Sequence, residues 1–200
     1  MPERDVFLGV ARTRAGGASM SAHTSQVPGA ADVSAPERSG RVVAVNVSRG
    51  GVPKLPVDGA AVGRMGLAGD SHNEPETGHG GPEQAVCLYS TEAIERVGAD
   101  GHRSFPGAYG ENLTVSGIEF GELQAGDRLQ IGAGGLLLQL TKYAAPCQTI
   151  AQYFAGGRFG RISPAAHPED ARWYARVLVE GTVRTGDAIT VLDRAESGAD

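Results

Sequence analysis

Cys147, the last residue of the run KYAAPC, is the side chain of this sequence best suited to making and breaking bonds. As a thiolate, cysteine is both a nucleophile and a soft metal ligand. The residues that follow, QTIAQYFAGG, place Ile150, Ala151 and Phe154 at helical spacing with Gly156 as a stop, so Cys147 is expected at a helix N-terminus. There the orphan N–H groups and the dipole lower a thiol's pKa from its usual value of about 8.5. A cysteine at a strand-to-helix junction serves packing as readily as chemistry. Lys142 shortly before it and an anion-suited glycine-rich loop favour chemistry.

One glycine-rich turn is PGAYGENLTVSG, residues 106–117. Gly107 and Gly110 allow a tight bend there, and Glu111 and Asn112 then offer acceptors and an amide, either to a ligand or to the turn's own backbone. The second is GHGGP, where Gly80 and Gly81 after His79 let backbone N–H groups approach a phosphate or carbonyl closely. Asp70, His72, Glu74, His79 and Glu83 crowd the same loop, but the spacing of His72, His79 and Cys87 matches no common zinc site. Cys87, inside the apolar run AVCLYS, reads as a small core hydrophobe.

Strands must carry these turns. Residues 41–48, RVVAVNVS, alternate Val43, Val45 and Val47 with Val42, Ala44 and Asn46, and LLLQLT, residues 136–141, is apolar enough to be central. ELQAGDRLQIG and VRTGDAITVL each join a Gly–Asp turn to an alternating strand. Ser90 caps a short helix with Ala93, Ile94 and Val97 inward and Gly98 at its end. HPEDARWYARVLVEG reads as a second helix, capped by His167 with Pro168 in its first position, and the final hairpin is then 176–180 with 183–192. Arg158, Arg161 and Arg172 are expected in solvent, although Arg158 and Arg161 flank glycines and could reach a phosphate. Arg49 and Lys54, on a loop stiffened by Pro53 and Pro56, belong to a solvated turn or contact an anion.

Two hundred residues with 40% hydrophobic and 20% charged content support one soluble domain with a core. Residues 1–39, rich in Gly, Ala, Ser and Pro, are expected to form a disordered tail in which Met20 is an alternative start, residues 40–193 the domain, and 194–200 a frayed end. The apolar patch at 6–11 is too short for a secretory signal and no run approaches membrane-spanning length, so a cytoplasmic location without membrane contact is expected. A net charge of −5 disfavours nucleic acid as a partner. In that compartment Cys87 and Cys147 are expected as separate thiols.

Taken in order, SRGGVPKLPV, GLAGDSH with HGGPEQAVCLYS, PGAYGENLTVSG, LQAGDRLQIG and the proline–cysteine of KYAAPC resemble a MOSC domain, the module named for the C-terminal part of molybdenum cofactor sulfurases. The resemblance spans residues 40–193 and is nearest to the stand-alone bacterial branch, similar to proteins implicated in resistance to N-hydroxylated bases. It implies a mainly β (α+β) fold, a β-barrel with a few short peripheral helices, and a pterin-bound molybdenum cofactor. The family's motif cysteine is the metal ligand in cofactor-bearing members, and Cys147 matches it. Cofactor contacts would fall on His79, Gly80, Gly81, Gly110, Glu111, Asn112, Thr141 and Lys142.

The sequence departs from several relatives in lacking an arginine shortly before the proline–cysteine pair, which leaves Lys142 as the nearest cation in sequence. No domain-sized segment remains for the pyridoxal-phosphate desulfurase of fused sulfurases, so pyridoxal phosphate is not expected. Two functions follow. One is a molybdenum-dependent oxidoreductase that reduces N-hydroxylated small molecules, with electrons from a separate redox protein. The alternative is a sulfur carrier that receives sulfur from a donor as a persulfide on Cys147. A homodimer is compatible with either.

Overall fold

The computed structural model describes residues 38–71 and 80–192. Among them, the strands β1 (Ser39–Val47), β5 (Val86–Ser90), β6 (Leu113–Ser116), β7 (Arg128–Ile131), β8 (Leu136–Ala144), β9 (Arg172–Val179) and β11 (Ala188–Leu192) pair in the order β11-β7-β8-β9-β5-β6-β1. A further pairing of β11 with β1 closes the sheet into a seven-stranded barrel. Closure removes the edges that an open sheet would expose. Only β5 and β6 are parallel; they are joined by the helix α1 (Thr91–Ala99) and the glycine-punctuated loop after it. Short β2 (Leu55–Val57) extends β1, and β10 (Gly181–Arg184), β3 (Gly59–Gly63) and β4 (Gly66–Leu67) form a small second sheet.

The length of β1 lets it serve three neighbours. Its first residues pair with β11, its middle with β6 across a bulge between Val42 and Ala44, and its end with β2. A bulge bends a strand and sharpens its twist, as curvature into a barrel requires. Inside lie Leu129, Ile131, Leu136, Leu138, Leu140 and Ile189, all essentially inaccessible. The Trp173 ring sits among them at 4.0 Å from that of Tyr143 on the adjacent strand. A second apolar cluster lies outside the barrel under α1: Ala93, Ile94 and Val97 meet Tyr89, Tyr109, Ile150, Tyr153 and Phe154. The α1 cap is as expected, with the Ser90 Oγ accepting the Ala93 N–H at 3.0 Å.

Two expected helices are replaced. The second helix is one 3-10 turn, Pro168–Asp170, after which Arg172–Val179 runs as a long strand through the barrel. The burial of β9 explains the misreading: Trp173, Tyr174 and Ala175 are all buried, so the alternation that marks a half-exposed strand is absent. The final hairpin is not formed either, because β10 leaves for the small sheet before β11 returns to the seam. After Cys147 the chain forms short 3-10 turns, Gln148–Tyr153, Ala155–Gly157 and Phe159–Ile162, in place of one helix. Residues 1–37 of the expected tail and the expected frayed end lie outside the described residues; Arg38 already accepts a backbone bond from Val191 at 2.8 Å, and Ser39 opens β1. Among the described residues, no helix is long and apolar enough to cross a membrane.

Candidate functional site

At one end of the barrel is a cavity of about 260 Å³ whose wall includes Lys54, Cys87, Gly110, Asn112, Cys147 and Arg172. Tyr109, Tyr174, Val52 and Ile150 supply its apolar surface, and Ser71, Gln84 and Thr149 further polar groups. Cys147 is partly exposed, in extended conformation just ahead of Gln148–Tyr153. A six-residue 3-10 turn is a poor source of macrodipole, so the charge near the thiol comes instead from side chains.

Asn112 holds the floor of the cavity together. Its backbone N–H donates to the Cys87 carbonyl at 2.7 Å and its carbonyl accepts the Asn46 N–H at 2.7 Å, joining β5 to β1. Its side chain repeats the bridge: Oδ1 accepts the Cys87 N–H at 3.1 Å, while Nδ2 donates to the Asn46 carbonyl at 3.3 Å and to Asp70 Oδ2 at 2.8 Å. Asp70 also accepts the Ser48 N–H at 2.8 Å and is ion-paired with Lys54. Both charges of that pair are desolvated, and the extra donors to Asp70 are what make such burial sustainable.

Glu111 lies beneath the wall. It is fully buried, with Oε1 accepting the Gly107 N–H at 2.6 Å and the Thr114 hydroxyl at 3.2 Å, and burial pushes its carboxyl pKa above the usual range. The Gly107 bond and the Lys54 N–H to Gly107 carbonyl bond at 2.9 Å tie the 106–112 turn to the Lys54 loop. The cavity thus takes its shape from a buried acid that does not face it.

Arg172 is the second cation. It is 4% exposed; Nη1 donates to the Tyr109 carbonyl and Nη2 to the Ala145 carbonyl at 3.3 Å, while Nε is buried without a partner. Among the described residues no carboxylate forms an ion pair with Arg172, whereas Lys54 is paired with Asp70. Arg172 and Tyr174 stand two apart on β9, which puts both on the cavity face. The Cys87 thiol, beside these groups, is pushed by burial up to about 11, with Arg172 the largest opposing influence.

The residues singled out by the sequence are thus divided. Cys147, Gly110 and Asn112 line the cavity together. Gly80 and Gly81 are buried at positive φ and lead into the 3-10 turn Pro82–Gln84, through which Gln84 reaches the cavity wall. His79 lies outside the described residues. Thr141 sits at a bulge of β8, where its hydroxyl bonds the Glu83 carbonyl at 2.7 Å and the Tyr174 carbonyl at 3.2 Å; Lys142 is exposed opposite Tyr174, and neither is in the wall. Arg172, expected in solvent, is buried at the cavity, and so is Lys54. The strand spacing of Arg172 and Tyr174 was the available signal for the former, and the proline-stiffened loop for the latter. His167, Glu169 and Asp170 lie close enough to share a cation, but Asp170 is held by Arg96 at 2.7 Å and Arg161 at 2.5 Å, which removes its charge from any such use.

A profile of the MOSC domain matches residues 75–190. The chain belongs to the MOSC domain family. β1 and the Lys54 loop precede the matched segment, yet they complete the MOSC barrel and its cavity here. The chain is 30% identical over 150 residues to YflK of Bacillus subtilis, a match covering 74% of this chain and 66% of YflK. It is also 30% identical over 133 residues to a Gibberella moniliformis protein named reductase, covering 64% of this chain but only 23% of that protein. The match therefore spans just under two thirds of YflK and about a quarter of the fungal protein. Among solved structures, YuaD of Bacillus subtilis superposes with a TM-score of 0.62 at 17% identity over 78% of this chain and 96% of YuaD. YiiM of Geobacillus stearothermophilus gives 0.61 at 25% identity, over 80% of this chain and 79% of that one.

Proposed function

We propose that this MOSC chain binds a molybdenum–pterin cofactor through Cys147 and reduces N-hydroxylated small molecules. The observation that carries the reading is that Cys147, a partly exposed thiol, shares one cavity with Arg172, a buried guanidinium in no ion pair with a described carboxylate. Such a pairing fits a ligand that joins a soft metal to an anionic group. Relatedness to a protein named reductase points the same way.

In this reading each wall residue has a task. Cys147 would hold the metal through its sulfur, and Arg172, braced by two carbonyls, would pair with the phosphate of the pterin. Gly110, at φ +85°, would let backbone approach such a ligand, where an added β-carbon would lie 3.2 Å from the Val52 side chain. Val52, Ile150, Tyr109 and Tyr174 exclude water, which strengthens every charge interaction inside. The bound cofactor supplies two-electron chemistry fed by a separate redox protein. The overall conversion consumes two electrons and two protons, turning an N–OH group into N–H and releasing water.

The test is elemental. Protein purified from a host that makes the cofactor should carry molybdenum and pterin in stoichiometric amount, and Cys147→Ser should lose the metal while keeping the fold. Metal-free wild-type protein bearing cyanide-labile sulfur would instead make Cys147 a persulfide carrier and end the reductase reading.

A further inference from the structure

We propose that Gln84 reads the edge of a planar nitrogen heterocycle bound in the cavity, an edge on which a hydrogen-bond donor stands beside an acceptor. Among the described residues two carboxamides belong to the cavity wall, those of Asn112 and Gln84. The Asn112 amide is spent on the protein, its oxygen on the Cys87 N–H and its nitrogen on the Asn46 carbonyl and Asp70. Gln84 is different. It is 9% exposed, its backbone N–H donates to the Gly81 carbonyl at 3.0 Å, and its side-chain amide has no hydrogen-bond partner among the described residues. An amide withdrawn from bulk water without a replacement partner is costly, and native interiors keep few of them. A ligand in the cavity that Gln84 lines supplies the replacement.

The backbone fixes Gln84 before any ligand arrives. Gly80 and Gly81, at φ +101° and +78°, turn the chain into Pro82–Gln84. The Glu83 carbonyl accepts the Thr141 hydroxyl at 2.7 Å, the Glu83 carboxylate pairs with Arg176 at 3.2 Å, and Ala85, 1% exposed, leads directly into β5. Thr141, outside the wall, therefore bears on the cavity through this turn. A side chain carried on a fixed turn gives up less freedom when it binds. Its carboxamide presents one acceptor and one donor side by side in a plane, which matches a planar partner offering the reverse, as glutamine matches the edge of adenine. Lys54 and Arg172 suit an anionic part of a ligand; the amide suits an uncharged edge, and Tyr109, Tyr174, Val52 and Ile150 give apolar surface to the rings behind it. Two sources share this chemistry. One is the pterin of the cofactor, with N–H beside C=O, and the other a substrate built like a nucleobase, with an amino group beside a ring nitrogen. The inference rests on the cavity as the ligand site and not on metal at Cys147.

The full chain, purified from a host unable to make the cofactor, is dialysed to equilibrium against pterin or adenine, each beside an analogue with a blocked edge, dimethyllumazine or adenine dimethylated at its amino group. The chain should retain at least one of the two probes and prefer it to its blocked analogue by about tenfold or more. The probe held more tightly identifies the source. Gln84→Met keeps the length and bulk of the side chain and removes both hydrogen-bonding groups, so it should bind probe and blocked analogue alike, within about twofold. Gln84→Glu, at pH 8 two acceptors without a donor, should lose the preference as well. A purely structural Gln84 would weaken both ligands and leave their ratio intact, and Trp173 fluorescence checks the fold of each variant. A preference retained in Gln84→Met, or neither probe retained by the wild-type chain at its solubility limit, would overturn the proposal. Nothing is reduced in this assay and no molybdenum takes part, so its failure leaves the elemental test of the reductase reading standing, and a metal-free chain in that test leaves this one standing.

Discussion

Replacing Asn112 tests how the cavity floor is built. Asn112→Ala removes three side-chain bonds: the acceptor for the Cys87 N–H, and the donors to the Asn46 carbonyl and to Asp70. The Cys87 N–H is buried and left without its side-chain acceptor, at a cost of about 1–3 kcal/mol, and Asp70 keeps Lys54 and the Ser48 N–H, so its loss is smaller. The sum is about 3 kcal/mol. Asn112→Asp is nearly the same shape but should be worse. It puts a second oxygen where Nδ2 now sits 2.8 Å from an Asp70 oxygen and 3.3 Å from the Asn46 carbonyl. Two buried carboxylates that close cannot both stay ionised, and the penalty is about 4–5 kcal/mol at neutral pH. It should shrink as pH falls and one of them takes up a proton. Denaturant unfolding followed through Trp173, the only tryptophan, reads all three proteins at pH 7 and pH 5. If N112D were as stable as N112A at pH 7, the amide would not be wedged between a carboxylate and a carbonyl and the argument would fail.

Three further substitutions probe the shell around that floor. Burial raises the Glu111 pKa, so the folded chain holds a proton that the unfolded chain has lost, and stability must fall as pH rises from the ordinary carboxyl range, about 4.3, through the raised value. Glu111→Gln keeps an oxygen for the Gly107 N–H and removes that proton, so its stability should run flatter with pH and match or exceed wild type at pH 8; parallel profiles would show that Glu111 does not titrate abnormally. Gly107→Ala should cost more than about 4 kcal/mol or prevent folding, since φ is +84° and the added carbon would collide with the Lys54 carbonyl oxygen and stand 3.0 Å from its carbon. Gly110→Ala, whose carbon meets the Val52 side chain at 3.2 Å, should be milder in the same unfolding assay, by about 2 kcal/mol or more.

Much of the barrel is legible because its strands are punctuated by turns and carry local patterns. The strand β7 (Arg128–Ile131) matches the alternating segment read from the sequence, and Ser90 announces α1 by capping chemistry that needs no tertiary information. β9 is illegible for the opposite reason: buried on both faces, it offers no alternation, while His167, Pro168 and the following acids imitate a helix start that stops after one turn. The site inherits this. Gly110, Asn112 and Cys147 are recognisable because glycine-flanked polar residues and a proline-linked thiol are local signals. Lys142 was singled out by nearness in sequence, and β8 leaves it exposed.

The cation near the thiol is defined by pairing across strands. Ala144, three residues before Cys147, lies opposite Arg172 in the β8–β9 ladder, and Arg172 then reaches on to the Ala145 carbonyl. Along the chain the two are far apart; across the ladder they are neighbours. Here the adjacent strand, and not the strand that leads to the proline–cysteine pair, delivers the positive charge. The absence of an arginine at Ala144 or Ala145 therefore does not leave the cavity without a buried guanidinium. It moves the requirement onto register: slipping β9 by one residue would send Arg172 and Tyr174 together to the opposite face. The two bulges of the β8–β9 ladder, one in β9 between Val177 and Val179 and one in β8 between Leu140 and Lys142, fix that register. They therefore act on the charge of the cavity as well as on the curvature of the barrel.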